Sequence, residues 1–256
     1  MPKGVIILTS TANKERTMFK LLSTANPKIQ KGTKLGYLSF ILHLAPADLS
    51  GVGNTCPKAT PGCKSACLNT AGRGGMFRKG ETTNMIQKAR IRKTVQFFTD
   101  RQGFMQDLYA DIQKAIRFAE RKGLTPVFRL NGTSDLSFEK YEVNGYNNIF
   151  EAFPQVQFYD YTKVLGRKVK GINNYHLTFS RADGNGKDSA RAMEQGLNIT
   201  VVFDKLPETY ADRQVINGDD TDLRFLDPKG VVIGLKAKGK AKKDYSGFVI
   251  RLQEVA

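Results

Sequence analysis

The stretch YLSFILHLAPADLSGVGNTCPKATPGCKSAC, residues 37–67, decides how the rest of the chain is read. From Tyr37 to Ala45 apolar side chains recur at every second position: Leu38, Phe40, Leu42 and Leu44 share one face, Tyr37, Ser39 and His43 the other. A period of two belongs to a β-strand. The strand gives way to a loop punctuated by Pro57, Pro61 and Gly62, residues that turn a backbone rather than extend a helix or strand, and this loop carries Cys56, Cys63 and Cys67.

Outward from this stretch, strands and helices alternate. A helical segment is predicted from Thr82 to Lys122, interrupted near Asp100 to Gly103, with apolar spacing at Met105, Leu108, Ile112, Ile116 and Ala119 and a stop at Gly123. Further strands are predicted at Pro126–Asn131, Val156–Tyr161, Tyr175–Ser180 and Ile199–Asp204, a helix at Asp188–Gln195, and a last sheet element at Gly230–Leu235. Such alternation argues for parallel strands joined by helical crossovers. The expected fold is α/β, a partial (β/α) barrel of mostly parallel strands. Residues 1–34 read as an N-terminal extension and residues 35–256 as a single domain.

The strands carry a polar stripe opposite their apolar one. Arg129 and Asn131 oppose Phe128 and Leu130; His176, Thr178 and Ser180 oppose Leu177 and Phe179; Thr200 and Asp204 flank Val202. Such a stripe either faces solvent or lines a polar cavity, and since a strand flanked on both sides by helices has no free solvent face, the cavity is the preferred reading. Arg129, Asn131, Asp135, His176, Ser180 and Arg181, which fall on this stripe or just beyond a strand end, are therefore the candidate ligand-binding residues. No side chain is assigned a catalytic role. The acidic run Asp219, Asp220 and Asp222 with Arg224 and Asp227 lacks the ligand order of a calcium loop and reads as a turn with an Arg–carboxylate contact.

The three cysteines are the only ones in the chain, an odd number within twelve residues, which suits a metal site better than a disulfide framework. Their Cys-x6-Cys-x3-Cys spacing offers no fourth thiolate for a closed zinc site, whereas a 4Fe-4S cluster tolerates three thiolates and an open or non-cysteine fourth iron. The cluster is the favoured cofactor on Cys56, Cys63 and Cys67; zinc completed by His43 or His176, and unliganded thiols, are the alternatives.

Lys and Arg outnumber Asp and Glu by 40 to 24, a formal charge of +16, which draws in polyanions and predicts weak, nonspecific nucleic-acid binding. The excess concentrates at Lys236 to Lys243 and between Arg73 and Arg101. No apolar run approaches the roughly 20 residues of a membrane span, and Val5 to Leu8 is too short for a secretory signal, so a cytoplasmic location with no membrane partner is expected.

A strand, a three-cysteine loop and then alternating helices and strands resembles the radical S-adenosylmethionine superfamily, which implies a partial barrel with the cluster at the strand C-terminal ends and S-adenosylmethionine as co-ligand. Two features depart from it: that superfamily spaces its cysteines x3 then x2, and Asn131-Gly-Thr-Ser-Asp135 stands where its glycine-rich turn belongs. Over residues 30–250 the chain more closely resembles a bacteriophage family, the gene product 88-like proteins, through KLGYLSFILHLAP, CPKATPGCKSAC, RLNGTSDL, FSRADGN and NGDDTDLRFLDPKGVVIGLKAKG. That resemblance implies a viral protein acting in the host cytoplasm. Two functional classes remain: a cluster-dependent enzyme acting on a small molecule, or a structural or redox-sensing iron–sulfur protein that binds nucleic acid through its basic surface.

Overall fold

The apolar faces anticipated from the period of two lie side by side in the computed structural model, which describes residues 19–24 and 31–252. Ten strands occur among those residues: β1 (Leu22–Ser23), β2 (Tyr37–Leu42), β3 (Thr125–Arg129), β4 (Gln157–Thr162), β5 (Tyr175–Ser180), β6 (Ile199–Phe203), β7 (Thr209–Tyr210), β8 (Arg213–Asn217), β9 (Val232–Lys236) and β10 (Val249–Ile250). They form one sheet in the order β1-β2-β3-β4-β5-β6-β9-β8-β7, with β10 also beside β6. Only β1 on β2 and β7 on β8 run antiparallel. The expected mixed α/β architecture with a mostly parallel sheet is present.

The sheet is not closed into a barrel. Its outer edges are occupied by two-residue antiparallel strands, β1 against β2 and β7 against β8, instead of by each other. Of the predicted extension, residues 1–18 and 25–30 lie outside the described residues; Leu22 and Ser23 pair with Leu42 and Ile41.

Crossovers between parallel strands are right-handed as a rule, which for the consecutive order β2 to β6 puts the long connecting helices on one face of the sheet. They are α1 (Pro61–Ser65), α2 (Met85–Thr99), α3 (Arg101–Glu120), α4 (Ile149–Ala152) and α5 (Gly186–Glu194). On this face Phe40, Phe128 and Phe158 stand in register, with successive ring centroids 5.4 Å apart, and are covered by Leu108, Ile112 and Ala115 of α3 and Phe150 of α4. Further along the sheet, Ala192 of α5 meets Phe179, Ile199, Val201 and Phe203. Each fully buried large side chain contributes about 1.5–3 kcal/mol of transfer free energy.

The predicted helical break falls at Asp100, which ends α2 and begins α3. Its carboxylate accepts from Gly103 N at 2.9 Å, satisfying an amide that has no partner within the helix. A Cβ at Gly103 would lie 2.1 Å from Asp100 Oδ2, so the cap requires glycine there. On the buried stripe of α3 sits one charged residue, Asp111. It accepts from the backbone N–H groups of Lys20, Leu21 and Leu22 at 3.2, 2.6 and 3.1 Å and so fastens the β1 segment to the helical layer.

The opposite face of the sheet is partly covered by chain. The segment Thr221–Asp227 crosses it, with the 3₁₀ turn Arg224–Leu226 lying against β4 and β5. Leu223 and Phe225 pack on Val127, Tyr159 and Tyr37. Among the described residues no helix is long and apolar enough to cross a membrane.

Candidate functional site

Parallel strands end their hydrogen-bond ladders on the same side, so the loops there and the polar stripe below them share one region of the molecule. On the stripe, β3 contributes Arg129, β4 Tyr159 and Tyr161, β5 His176 and Thr178, and β6 Thr200. The crossing segment answers them with charge. Arg129 Nη1 donates to Asp222 Oδ2 at 2.9 Å, with its guanidinium 4.6 Å from the Tyr161 ring centroid, and the Tyr161 hydroxyl reaches Asp222 Oδ1 at 3.4 Å. Arg224, only 1% exposed, pairs with Asp227 at 3.3 Å and donates to the Thr221 carbonyl. The acidic run is thus an Arg–carboxylate contact, as its sequence suggested.

Burial disfavours the Arg129 charge, yet Asp222 beside it, with Tyr161, Tyr159 and Asp160, holds the guanidinium above its ordinary range. Burial, reinforced by Asp222, pushes both Tyr159 and Tyr161 upward, so both phenols stay neutral. Burial and the Arg224 charge lower His176, leaving it a neutral imidazole at pH 7. Several buried polar atoms here have no hydrogen-bond partner among the described residues: Arg129 Nε, His176 Nε2, Thr178 Oγ1, Thr200 Oγ1 and Arg224 Nε. Groups of this kind are normally satisfied by protein, ordered water or ligand.

At the strand ends the other sequence-derived positions separate. Asn131 lies beyond the end of β3 and turns away from Arg129: its N–H and Nδ2 donate to Asp160 at 2.7 and 3.1 Å, and its Oδ1 accepts from Ser134 Oγ and Leu136 N at 2.9 and 2.8 Å. Asp135 accepts from Lys163 N at 2.7 Å and lies 3.8 Å from Arg167, itself bound to Glu139. Ser180 accepts from Lys163 Nζ at 3.2 Å, and Arg181 donates to the carbonyls of Gly247 and Phe248. Arg129 and His176 therefore share the stripe, Ser180 stands at its upper end, and Asn131, Asp135 and Arg181 shape the surrounding loops.

Asp160 is fully buried on the helical side, held by Asn131 and by the Tyr175 hydroxyl at 3.0 Å. Burial pushes its carboxyl up to about 6 against the opposing pull of Arg129 and the Asn131 N–H. Asp160 was not among the candidate residues read from the sequence, nor were Lys163 and Arg167. A lone acid on the apolar phase of β4, between Phe158 and Thr162, is the signal that marks it. Thr178 and Thr200 were legible on the polar phase, but nothing local distinguishes a satisfied threonine from an unsatisfied one.

The cysteine segment requires a correction. Among the described residues no group of three or more His, Cys, Asp or Glu side chains is arranged to hold a metal ion, and Cys56, Cys63 and Cys67 are free, half-buried thiols. The expected 4Fe-4S cluster does not fit this arrangement, nor does zinc completed by a histidine. The loop uses its special residues differently. Thr60 caps α1 by accepting from Cys63 N at 3.2 Å, while Asp183 accepts from the Thr60 hydroxyl and from Gly62 N at 3.0 Å. The Cys56 thiol points to the Thr133 carbonyl at 3.8 Å, and the Cys67 sulfur accepts from Asn69 N at 3.5 Å at the head of a 3₁₀ turn. Burial, with the neighbouring cysteines adding to it, raises Cys56 and Cys67 above the usual thiol range. With the cluster go both functions built on it, the cluster-dependent enzyme and the iron–sulfur nucleic-acid protein.

An open, mostly parallel sheet with helices on one face and a buried network of arginines, tyrosines and carboxylates on the other defines an α/β protein with a polar interior. The chain belongs to the Gene product 88 family, whose model matches residues 19–252, in agreement with the bacteriophage family that its motifs resemble. No curated protein and no solved structure matches it, so the resemblance to the radical S-adenosylmethionine superfamily gains no support.

Proposed function

We propose that the protein binds a small, acceptor-rich molecule, such as a phosphate or carboxylate compound, on the polar stripe of β3 to β6. The observation that carries this reading is the set of buried polar atoms on neighbouring strands that have no partner among the described residues, Arg129 Nε, His176 Nε2, Thr178 Oγ1 and Thr200 Oγ1. The arginine nitrogen only donates, while the hydroxyls and the imidazole adapt to either role, so the set suits an anion. Leaving such groups unsatisfied costs about 1–3 kcal/mol each, which bound acceptor oxygens offset.

In this reading Arg129 and His176 contact the ligand, Ser180 with Lys163 forms the rim, and Asn131, Asp135 and Arg181 position the loops around it. Burial raises Cys56 and Cys67, which keeps both thiols protonated at neutral pH. The test is thermal denaturation and calorimetry with inorganic phosphate, nucleotides, dicarboxylates and S-adenosylmethionine. A ligand of this class is expected to raise the melting temperature of the wild type, and Thr178→Val and His176→Phe are expected to abolish that rise. Wild-type melting indifferent to all of these compounds sinks the proposal.

A second reading is favoured by the +16 charge: weak nucleic-acid binding that falls steeply with salt and ignores sequence. Tight, sequence-selective binding at physiological salt would refute it.

A further inference from the structure

The loop that follows the cysteines is built unlike an ordinary surface loop. Asn84, the residue that caps α2, donates through Nδ2 to the carbonyls of Arg73, Gly74 and Met76 at 3.2, 3.0 and 2.9 Å. Gln87 Nε2 adds a bond to Gly74 O at 2.8 Å, and Arg90 Nη1 reaches Asn69 Oδ1 at 2.6 Å. The backbone of residues 69–76 is thus fixed to the first turns of α2, and it leads directly into residues 76–82, all of which are exposed.

What faces outward is apolar and cationic together. Met76, Phe77 and Met85 are 69%, 43% and 72% exposed. Arg73, Arg78, Lys79 and Lys88 are exposed around them, and no salt bridge engages these cations among the described residues. Between residues 68 and 93 the sequence contains a single acid, Glu81. On α2 the exposed stripe runs Met85, Lys88, Arg92, so the helix offers charge where a membrane-surface helix offers a continuous apolar face.

We infer that residues 68–92 form a docking surface for single-stranded nucleic acid, in which Phe77 stacks on a base and Arg73, Arg78, Lys79 and Lys88 meet phosphates. An aromatic ring flanked by cations on a preordered backbone is the arrangement that single strands use, because an unstacked base offers its face and the flanking phosphates are neutralised beside it. The half-exposed ring favours a single strand over a duplex, whose bases are already stacked. The inference rests on the second reading above, weak nucleic-acid binding, and gives it a location.

The test is fluorescence anisotropy of the full chain with a labelled oligothymidylate and a duplex of equal length, across a salt series. Phe77→Ala is expected to weaken single-strand binding by about 5- to 150-fold, the range of one lost base stack, and to leave duplex binding nearly unchanged. The double variant Arg78→Ala/Lys79→Ala is expected to lower the slope of log affinity against log salt by about 1.4, two phosphate contacts on a single strand. If the wild type binds but these variants bind equally well, and Lys240→Ala/Lys242→Ala/Lys243→Ala abolishes binding instead, this surface is overturned while the second reading stands. If the wild type binds no oligonucleotide even at low salt, both fall. Capture by phosphatidylserine vesicles without oligonucleotide binding assigns the surface to a membrane and overturns the inference.

Discussion

Replacement of Asp160 by asparagine tests the electrostatics of the buried interior through pH. The carboxyl titrates at about 6 in the folded protein against 3.8 when unfolded, burial being the main cause. Below 3.8 it is neutral in both states, and above about 6 it is ionised in both. Between these limits the folded protein holds a proton that the unfolded chain releases, so stability falls as pH rises through the window. A gap of about two pH units at 1.36 kcal/mol each gives roughly 3 kcal/mol lost from acid to neutral pH. The amide introduced by Asp160→Asn does not titrate, and its carbonyl still accepts from Asn131 N. Urea unfolding at intervals from about pH 3.5 to 7.5 is the assay, read as wild-type minus variant stability so that other titrating groups largely cancel. That difference is expected to decline by about 3 kcal/mol with rising pH. A difference that stays level across the window, or that grows with pH, refutes the reasoning.

Other expectations concern single contacts. Arg129→Met removes the guanidinium that donates to buried Asp222 and is expected to cost about 3–5 kcal/mol in denaturant unfolding, whereas Arg129→Met with Asp222→Leu should recover most of that loss. Asp111→Ala removes the acceptor for three backbone N–H groups and is expected to cost about 2–4 kcal/mol, with faster amide exchange confined first to residues 20–22. Gly103→Ala forces a methyl onto the Asp100 carboxylate and should destabilise by about 1–2 kcal/mol, more than Asp100→Ala adds on top of it, because both remove one cap.

The sheet was legible because its signal is local. The apolar phase of each parallel strand can be read from a few residues, and β5 falls at the predicted Tyr175–Ser180. The break between α2 and α3 was visible for the same reason, in the short polar run around Asp100. The edge strands β1 and β7 were not legible, since two residues carry no period. Neither was the path of Thr221–Asp227 over the polar stripe, because the Arg129–Asp222 pair joins positions 93 residues apart and leaves no local trace. Asn131 shows where alternation stops being informative: it has the parity of Arg129, but β3 ends at Arg129, and beyond that point hydrogen bonding to Asp160 directs the side chain. The cysteines mislead in a related way. Spacing sets which sulfurs a loop can bring near one another, while the Thr60 cap and the Cys67–Asn69 contact set where they point.

The strand order at the far end of the sheet has a consequence for the chain during synthesis. β8 precedes β9 in sequence, yet β9 lies between β6 and β8. Until residues 232–236 emerge, β6 has a bare edge along Ile-Thr-Val-Val-Phe, a β-branched, uncharged segment of the kind that recruits other strands. A chain halted before Val232 is expected to aggregate more readily than one extended past Lys236, which leaves only Val202–Phe203 of β6 awaiting β10, so the most hazardous interval of biosynthesis is the roughly thirty residues between completion of β6 and arrival of β9.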